Sequence, residues 1–91
     1  LDPSLIDAET NLGVIEAQDG RVDDAIKLWR LAFQNAPDRS SIGLNLARAY
    51  CAEGKLPEAR NYILRVLEFN PDQSVAKQMM KRLNRVSPSC P

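Results

Sequence analysis

Hydrophobic residues recur every three or four positions along most of this chain of 91 residues. In the first segment the apolar series is Leu5, Ala8, Leu12 and Ile15, and comparable series follow further along. This spacing places side chains on one face of an α-helix, whereas the residues of a half-buried strand alternate every two positions. The pattern predicts five amphipathic helices, at about 4–18, 22–35, 39–52, 56–69 and 73–86.

The helical pattern is itself repeated along the chain. The segment from Gly20 to Asp38 matches the segment from Gly54 to Asp72, with glycine, alanine, proline and aspartate recurring at the same places. A fixed period of this length is typical of solenoids, in which each unit stacks on the next. The sequence therefore predicts pairs of helices that form a stack.

Residues that interrupt helices stand where the pattern requires turns. Gly20 and Gly54 fall between the two helices of each pair, where glycine accepts a positive φ without a Cβ penalty. Pro37 and Pro71 follow the second helix of each pair and end it. Aspartate is favoured at the N-cap of a helix, and the predicted N-caps are Asp2, Asp38 and Asp72.

The positions of small residues and prolines within the period carry a family resemblance. Counted from Ile6 and from Ser40, each unit has a small residue at position 8, glycine at 15, alanine at 20 and proline at 32. The pattern resembles the tetratricopeptide repeat, a helix–turn–helix unit of about 34 residues. The resemblance implies an all-α fold, a right-handed α-solenoid of antiparallel helix pairs. It divides the chain into repeat one at 4–37 and repeat two at 38–71, and the residues that follow predict a C-terminal capping helix at 72–86 and a disordered tail at 87–91.

Three positions depart from the family pattern, and one of them is position 11, which is Glu16 in the first unit. Position 4 is Glu9 in the first unit and Gly43 in the second, where the family often has tryptophan. Position 27 is Ala32 and then Val66, so the second junction must accept extra volume. Glycine inside a helix costs about 1 kcal/mol relative to alanine. Gly43 therefore either marks a close approach of two helices or is merely tolerated.

The two ends of the predicted stack differ in polarity. Lys77, Lys81 and Arg85 give the fifth helix a polar face, as expected of a helix that terminates a stack. No polar helix precedes the first repeat, so Leu5 and Ile6 are expected to be open to solvent. We therefore expect the chain to be the C-terminal piece of a longer repeat protein. The alternative is a naturally short domain that has lost its initiator Met.

Charge is balanced overall but unevenly distributed. Residues 1–36 carry seven acids and three bases, whereas residues 37–91 carry five acids and nine bases. Position in a solenoid follows position in the sequence, so one end should be acidic and the other basic. Either this surface is simply solvated, or the basic end receives an acidic partner or another copy of the chain. Nucleic acid binding is not predicted, because the net charge is zero and no aromatic residues are interleaved with the bases.

The inventory of reactive residues argues against catalysis. The chain has no histidine, which removes Ser–His, Cys–His and His-ligated metal arrangements. Its two cysteines are too few for a disulfide framework or a zinc site. Cys51 is expected to pack as a small apolar residue, with a bond to Cys90 as the less favoured alternative. We predict that the chain is not an enzyme and has no cofactor and no metal.

No apolar run approaches the length of about 20 residues that spans a bilayer. We therefore predict no membrane insertion by this segment. The sequence leaves the compartment open, with a slight preference for the cytoplasm.

The resemblance also implies where a partner would bind. In this family the first helix of each pair lines a concave groove, and the groove residues implied here are Asp7, Thr10, Asn11, Val14, Leu44, Asn45, Arg48, Gln78, Met79 and Arg82. Asn11 and Asn45 offer donors and acceptors to an extended backbone. Arg48 and Arg82 offer forked donors to a carboxylate. Each of these residues could equally be an ordinary solvated one.

The predicted function is therefore protein–protein interaction, with a peptide or protein segment of unknown identity held in the groove. The alternative is structural self-association, in which copies form a homo-oligomer by stacking through the uncapped N-terminal face. Both predictions exclude nucleic acid as the partner.

Overall fold

Five helices account for most of residues 2–85, the part of the chain that the computed structural model describes. They are α1 (Pro3–Gln18), α2 (Val22–Asn35), α3 (Ser40–Ala52), α4 (Leu56–Phe69) and α5 (Ser74–Leu83), and no strand occurs between residues 2 and 85. The predicted all-α fold is confirmed. The predicted bounds of α2 and α4 agree with the structure, and those of α1 and α3 differ by one residue at their starts.

The fifth helix is shorter than predicted. It ends at Leu83, and Asn84 is its C-cap. The carbonyl oxygen of Leu83 accepts a hydrogen bond of 2.9 Å from Nη2 of Arg60 on α4, so a side chain satisfies an acceptor that the end of a helix leaves unpaired. The predicted tail at 87–91 lies outside the described residues, and the boundaries of the two repeats stay predictions.

Each helix pair turns at a glycine, as predicted. Gly20 has φ 85° and Gly54 has φ 77°, the left-handed conformation that favours glycine. After α1, the backbone N–H of Arg21 donates to the carbonyl of Glu16 at 2.8 Å. After α3, the equivalent bond from Lys55 to Tyr50 measures 2.9 Å. This is the Schellman pattern, which satisfies carbonyls at the end of a helix.

The side chain of Arg21 reinforces the first of these turns. Its Nε donates to a carboxylate oxygen of Glu16 at 2.6 Å, and its Nη2 donates to Asp19 at 3.2 Å. The hydrogen bond from Arg21 lowers the pKa of Glu16, and the same bond raises the pKa of Arg21. The guanidinium therefore holds both the carboxylate of α1 and the turn that follows it.

The turns between the pairs correct two of the predicted N-caps. Asp38 and Asp72 follow their prolines inside tight turns, closed by hydrogen bonds of 3.0 Å and 3.1 Å between residues three apart. The N-cap residues are instead Arg39 for α3 and Gln73 for α5. Proline presets the second position of such a turn, so the helix begins only after the turn has closed.

The predicted cap at the start of the chain is confirmed. Asp2 is the N-cap of α1, and its carboxylate accepts from the backbone N–H of Ser4 at 2.9 Å and from the Ser4 hydroxyl at 2.8 Å. The backbone hydrogen bond is the main cause of a lowered pKa at Asp2. Pro3 follows as the first helical residue, where its missing N–H has no helical partner to lose.

Consecutive helices pack on one another along the chain, with the main contacts at α1–α2, α2–α3, α3–α4 and α4–α5. The buried side chains form one continuous core through this stack. Small residues lie in the core between the helices: Ala25, Ala47 and Ala59 are completely buried. An alanine at Gly13 would place its Cβ 2.8 Å from Cδ1 of Trp29 and closer still to Nε1. The predicted close contacts at small residues are therefore present.

Gly43 is a point of close approach, which decides between the two predicted roles. A Cβ at this position would lie 3.0 Å from Cζ of Phe33 and closer still to Cγ2 of Val66. The side chain of Val66, which replaces the alanine of the first unit, thus occupies the space that the missing Cβ leaves. These two departures from the family pattern compensate for each other in one contact.

Cys51 is buried in α3 and disulfide-bonded. Its burial was predicted, but the preference for an unbonded cysteine is wrong. Cys90, the other cysteine of the chain, lies outside the described residues. Among the helices of residues 2–85, none combines the length and the apolarity needed to cross a membrane.

Candidate functional site

The first helices of the stack, α1 and α3, form a groove together with α5, which we call the α1/α3/α5 groove. Its first cavity, of about 330 Å³, lies between α1 and α3. The main lining residues of this cavity are Val14, Ala17, Trp29, Asn45, Arg48 and Ala49. A second cavity of about 210 Å³ lies between α3 and α5 and is lined by Arg48, Val75, Gln78, Met79 and Arg82. Because Arg48 lines both cavities, they adjoin.

Helical register explains why these side chains meet. On α3, Asn45, Arg48 and Ala49 are three or four residues apart and so share one face. The residues of α1 and α5 that line the groove have the same spacing. Trp29 reaches the first cavity from α2, and its Nε1 donates to the backbone carbonyl of Thr10 at 3.1 Å. This bond fixes the indole against α1.

The two cavities differ in chemistry. Aliphatic side chains and the indole dominate the first, which suits an apolar side chain of a partner. The second brings together the guanidiniums of Arg48 and Arg82, both exposed, with the amide of Gln78. Between residues 2 and 85, neither Arg48 nor Arg82 forms an ion pair. Their donors can therefore engage a carboxylate in the bidentate geometry typical of arginine.

Six of the ten groove residues predicted from the sequence line the two cavities: Val14, Asn45, Arg48, Gln78, Met79 and Arg82. Met79 is only 2% exposed and forms the floor of the second cavity. Asp7, Thr10, Asn11 and Leu44 do not line either cavity.

Three of these four residues are engaged elsewhere. Asp7 forms an ion pair with Arg39 at the turn before α3. The hydroxyl of Thr10 donates to the carbonyl of Ile6 within α1 at 2.8 Å. Leu44 is only 5% exposed and belongs to the core, which corrects its predicted place on the open surface. Asn11 is exposed on α1.

Several lining residues were not predicted: Ala49, Trp29, Gln18, Val22 and Ala52. The sequence contains a signal for some of them, because Ala49 and Ala52 follow Asn45 and Arg48 by one helical turn. Trp29 and Val22 belong to a second helix, and the expectation that first helices alone line the groove left them out.

A second exposed surface runs along α1. Leu5, Leu12 and Ile15 are 51%, 46% and 52% exposed, and their spacing puts them on one face of the helix. The expectation that Leu5 is open to solvent is confirmed. The same expectation is wrong for Ile6, which is 3% exposed because it points from the other side of α1 into the core.

Metal binding finds no support in the described structure: between residues 2 and 85, no three His, Cys, Asp or Glu side chains are grouped so that they could hold an ion.

Comparison with known proteins identifies a family with which this chain shares its sequence pattern. A family model described as "Tetratricopeptide repeat" matches residues 16–83. Human "Protein O-mannosyl-transferase TMTC1" is 31% identical over 65 residues, which is 71% of this chain and 7% of that protein. The chain thus spans only a small part of the curated relative that it matches. No solved structure matches the chain.

Proposed function

The chain belongs to the tetratricopeptide repeat family, and from this premise we propose that it binds a peptide or protein segment in the α1/α3/α5 groove. Repeats of this family are generally protein–protein interaction modules. One observation carries the finer proposal: Arg48 joins an apolar cavity to a second cavity that holds two guanidiniums without ion pairs in residues 2–85.

The chemistry of the two cavities specifies the segment that would fit. An aliphatic side chain would enter the first cavity, beside Trp29 and Ala49. A carboxylate nearby in the segment would accept hydrogen bonds from Arg48 and Arg82. The amide of Asn45 lines the first cavity and can both donate to and accept from an extended backbone.

We expect the double variant Arg48→Gln and Arg82→Gln to bind such peptides at least about tenfold more weakly, because hydrogen bonds to charged groups contribute about 1.5–3 kcal/mol each. The test selects peptides on the wild-type protein from a random displayed library and measures their affinity for both proteins by fluorescence anisotropy.

The matched control is the variant Lys81→Gln and Arg85→Gln, which removes the same charge without touching the groove lining. It should bind the selected peptides as the wild type does. Equal losses in both double variants would show a general charge effect and contradict the groove. Failure to enrich any peptide that depends on Arg48 and Arg82 would also contradict it.

The human relative is named as an O-mannosyl-transferase, and the match covers 7% of that protein. The matched region belongs to a family that is typically non-catalytic. We propose that this chain contributes binding and not the transfer step.

Self-association is a second candidate function, and the exposed face of α1 favours it. Leu46 and Ala49 of α3 are the counterparts, one repeat later, of Leu12 and Ile15, and they are buried, at 0% and 9% exposure. The exposed face of α1 therefore corresponds to a face that is buried by packing in α3. A second copy could cover it, and the acidic and basic halves of the sequence favour an end-to-end arrangement.

We expect the mass of the wild type to rise above its monomer value of 10.2 kDa as concentration increases, and Leu12→Asp to remain monomeric. Light scattering coupled to size exclusion measures both. The matched control is Leu64→Asp on α4, since Leu64 is 49% exposed and Leu12 46%. A wild type that is monomeric at every concentration would refute this candidate, as would an equal effect of Leu64→Asp.

A further inference from the structure

A second cleft lies between α2 and α4, and it shares no lining residue with the α1/α3/α5 groove. We call it the α2/α4 cleft. Its volume is about 350 Å³, within the range of small-ligand sites. The residues that matter here are Arg30, Phe33, Tyr62, Arg65, Glu68 and Phe69. None of them was predicted to take part in binding.

The guanidinium of Arg65 is held in place by aromatic rings. Its Cζ lies 5.1 Å from the centroid of the Tyr62 ring, a cation–π arrangement. Tyr62 is itself fixed, because it stacks on Tyr50 at 5.7 Å and meets Phe33 at 5.9 Å in a tilted contact. A guanidinium held this way loses little freedom when it binds a ligand, and its N–H donors stay available in the plane of the group.

The charges in the cleft select the kind of ligand. Arg30 faces the same cleft from α2, and within residues 2–85 neither Arg30 nor Arg65 forms an ion pair. The carboxylate of Glu68 also lines the cleft, so two guanidiniums and one carboxylate leave a single net positive charge. That balance suits one carboxylate and opposes a polyanion such as a nucleic acid strand.

The apolar part of the cleft determines which kind of side chain the ligand can carry next to its carboxylate. Phe33 and Tyr62 form its floor, and Phe69 is 54% exposed at its edge. An exposed phenylalanine next to a preformed cleft offers a contact for an aromatic or aliphatic side chain, since aromatic pairs contribute beyond their buried area.

We propose that the α2/α4 cleft is a second peptide-binding site, which takes a short acidic segment of a partner protein with an aromatic residue beside its carboxylate. Arg30 and Arg65 bind the carboxylate, and Phe69 with the ring floor contacts the aromatic side chain. The site is independent of the groove, so one chain can hold two segments at once.

The test is an NMR titration of the ¹⁵N-labelled protein with the tripeptide acetyl-Gln-Phe-Asp-amide, which carries one carboxylate beside its phenylalanine, with acetyl-Gln-Phe-Asn-amide as the uncharged control. We expect the acidic peptide to shift amide signals near Phe33, Tyr62 and Phe69. The variant Arg30→Gln and Arg65→Gln should weaken this binding by about tenfold or more, as expected for the loss of hydrogen bonds between charged groups. Arg30→Gln alone, which leaves the Tyr62 stack untouched, should weaken it by a smaller factor.

The variant Arg48→Gln and Arg82→Gln is matched in charge and changes only the groove, so it should leave the titration at the α2/α4 cleft unchanged. Each double variant therefore tests one site, and failure of the groove does not imply failure of the cleft. Equal affinity for the uncharged peptide would overturn the proposal. So would shifts confined to the groove, or tighter binding of a short oligothymidine than of the acidic peptide.

Discussion

The variant Trp29→Ala should lower the free energy of unfolding by about 3–5 kcal/mol, the usual cost of truncating a large buried aromatic residue. Trp29 is 5% exposed, and its indole packs directly against Gly13 of α1. The truncation also removes the hydrogen bond from Nε1 to the carbonyl of Thr10. A domain of this length has a total stability of about 5–14 kcal/mol, so the loss is a large fraction of the whole.

Urea denaturation followed by far-ultraviolet circular dichroism measures this loss without relying on the tryptophan as a probe. The control is Trp29→Phe, which keeps most of the ring volume and loses chiefly the hydrogen bond, at a cost of about 1–2 kcal/mol. A Trp29→Ala variant within about 1 kcal/mol of the wild type would mean that Trp29 does not hold α1 against α2.

The variant Gly43→Ala should destabilise the protein by about 1–3 kcal/mol through overpacking, although alanine is the better helix former by about 1 kcal/mol. The added Cβ would meet Cγ2 of Val66 and lie 3.0 Å from Cζ of Phe33. Val66→Ala alone should also destabilise the protein, because it leaves a cavity beside the glycine. Combined, the two substitutions should recover part of the loss, since the methyl added at position 43 then fills the space of the missing valine methyls.

A double-mutant cycle, measured by urea denaturation, quantifies this rescue. We expect a favourable coupling of about 0.5–3 kcal/mol between positions 43 and 66. The control is Ile63→Ala, a buried position on α4, the helix that carries Val66. The nearest side chains to Gly43 are those of Val66 and Phe33, so Ile63→Ala and Gly43→Ala should combine additively. Additive losses at positions 43 and 66 would show that Gly43 and Val66 do not compensate for each other energetically.

The helices and their turns could be predicted because they depend on local chemistry. Apolar spacing located α2 and α4 to the residue, and glycine marked both turns that need a positive φ. The N-caps were less accessible, since aspartate is favourable both as a cap and within a turn after proline. At Asp38 the turn prevailed, whereas at Asp2, with proline directly after it, the cap did.

The groove could be predicted to the level of helix faces but not of individual contacts. The resemblance implied Arg48 and Arg82 at equivalent positions one repeat apart, and both line the second cavity. It also implied Leu44, which faces the core, and Asp7, which forms an ion pair with Arg39 at the turn before α3. Both outcomes depend on how neighbouring helices rotate and pack, which the spacing along one helix does not encode. The α2/α4 cleft likewise depends on the approach of two helices that belong to successive repeats.

Because each helix packs mainly on its neighbours in the chain, the helices should differ in the free energy of local unfolding. Within residues 2–85, α1 packs mainly on α2 and α5 mainly on α4, whereas α3 has a major contact on each side. Amide hydrogens of α1 and α5 should therefore exchange with solvent sooner than those of α3. A segment bound across the α1/α3/α5 groove would contact α1 and α5, the two helices expected to open most easily, and also α3, the helix expected to open least. Binding of a segment in the groove would then make the opening of the helices more cooperative, because either end could open only after the bound segment had been released.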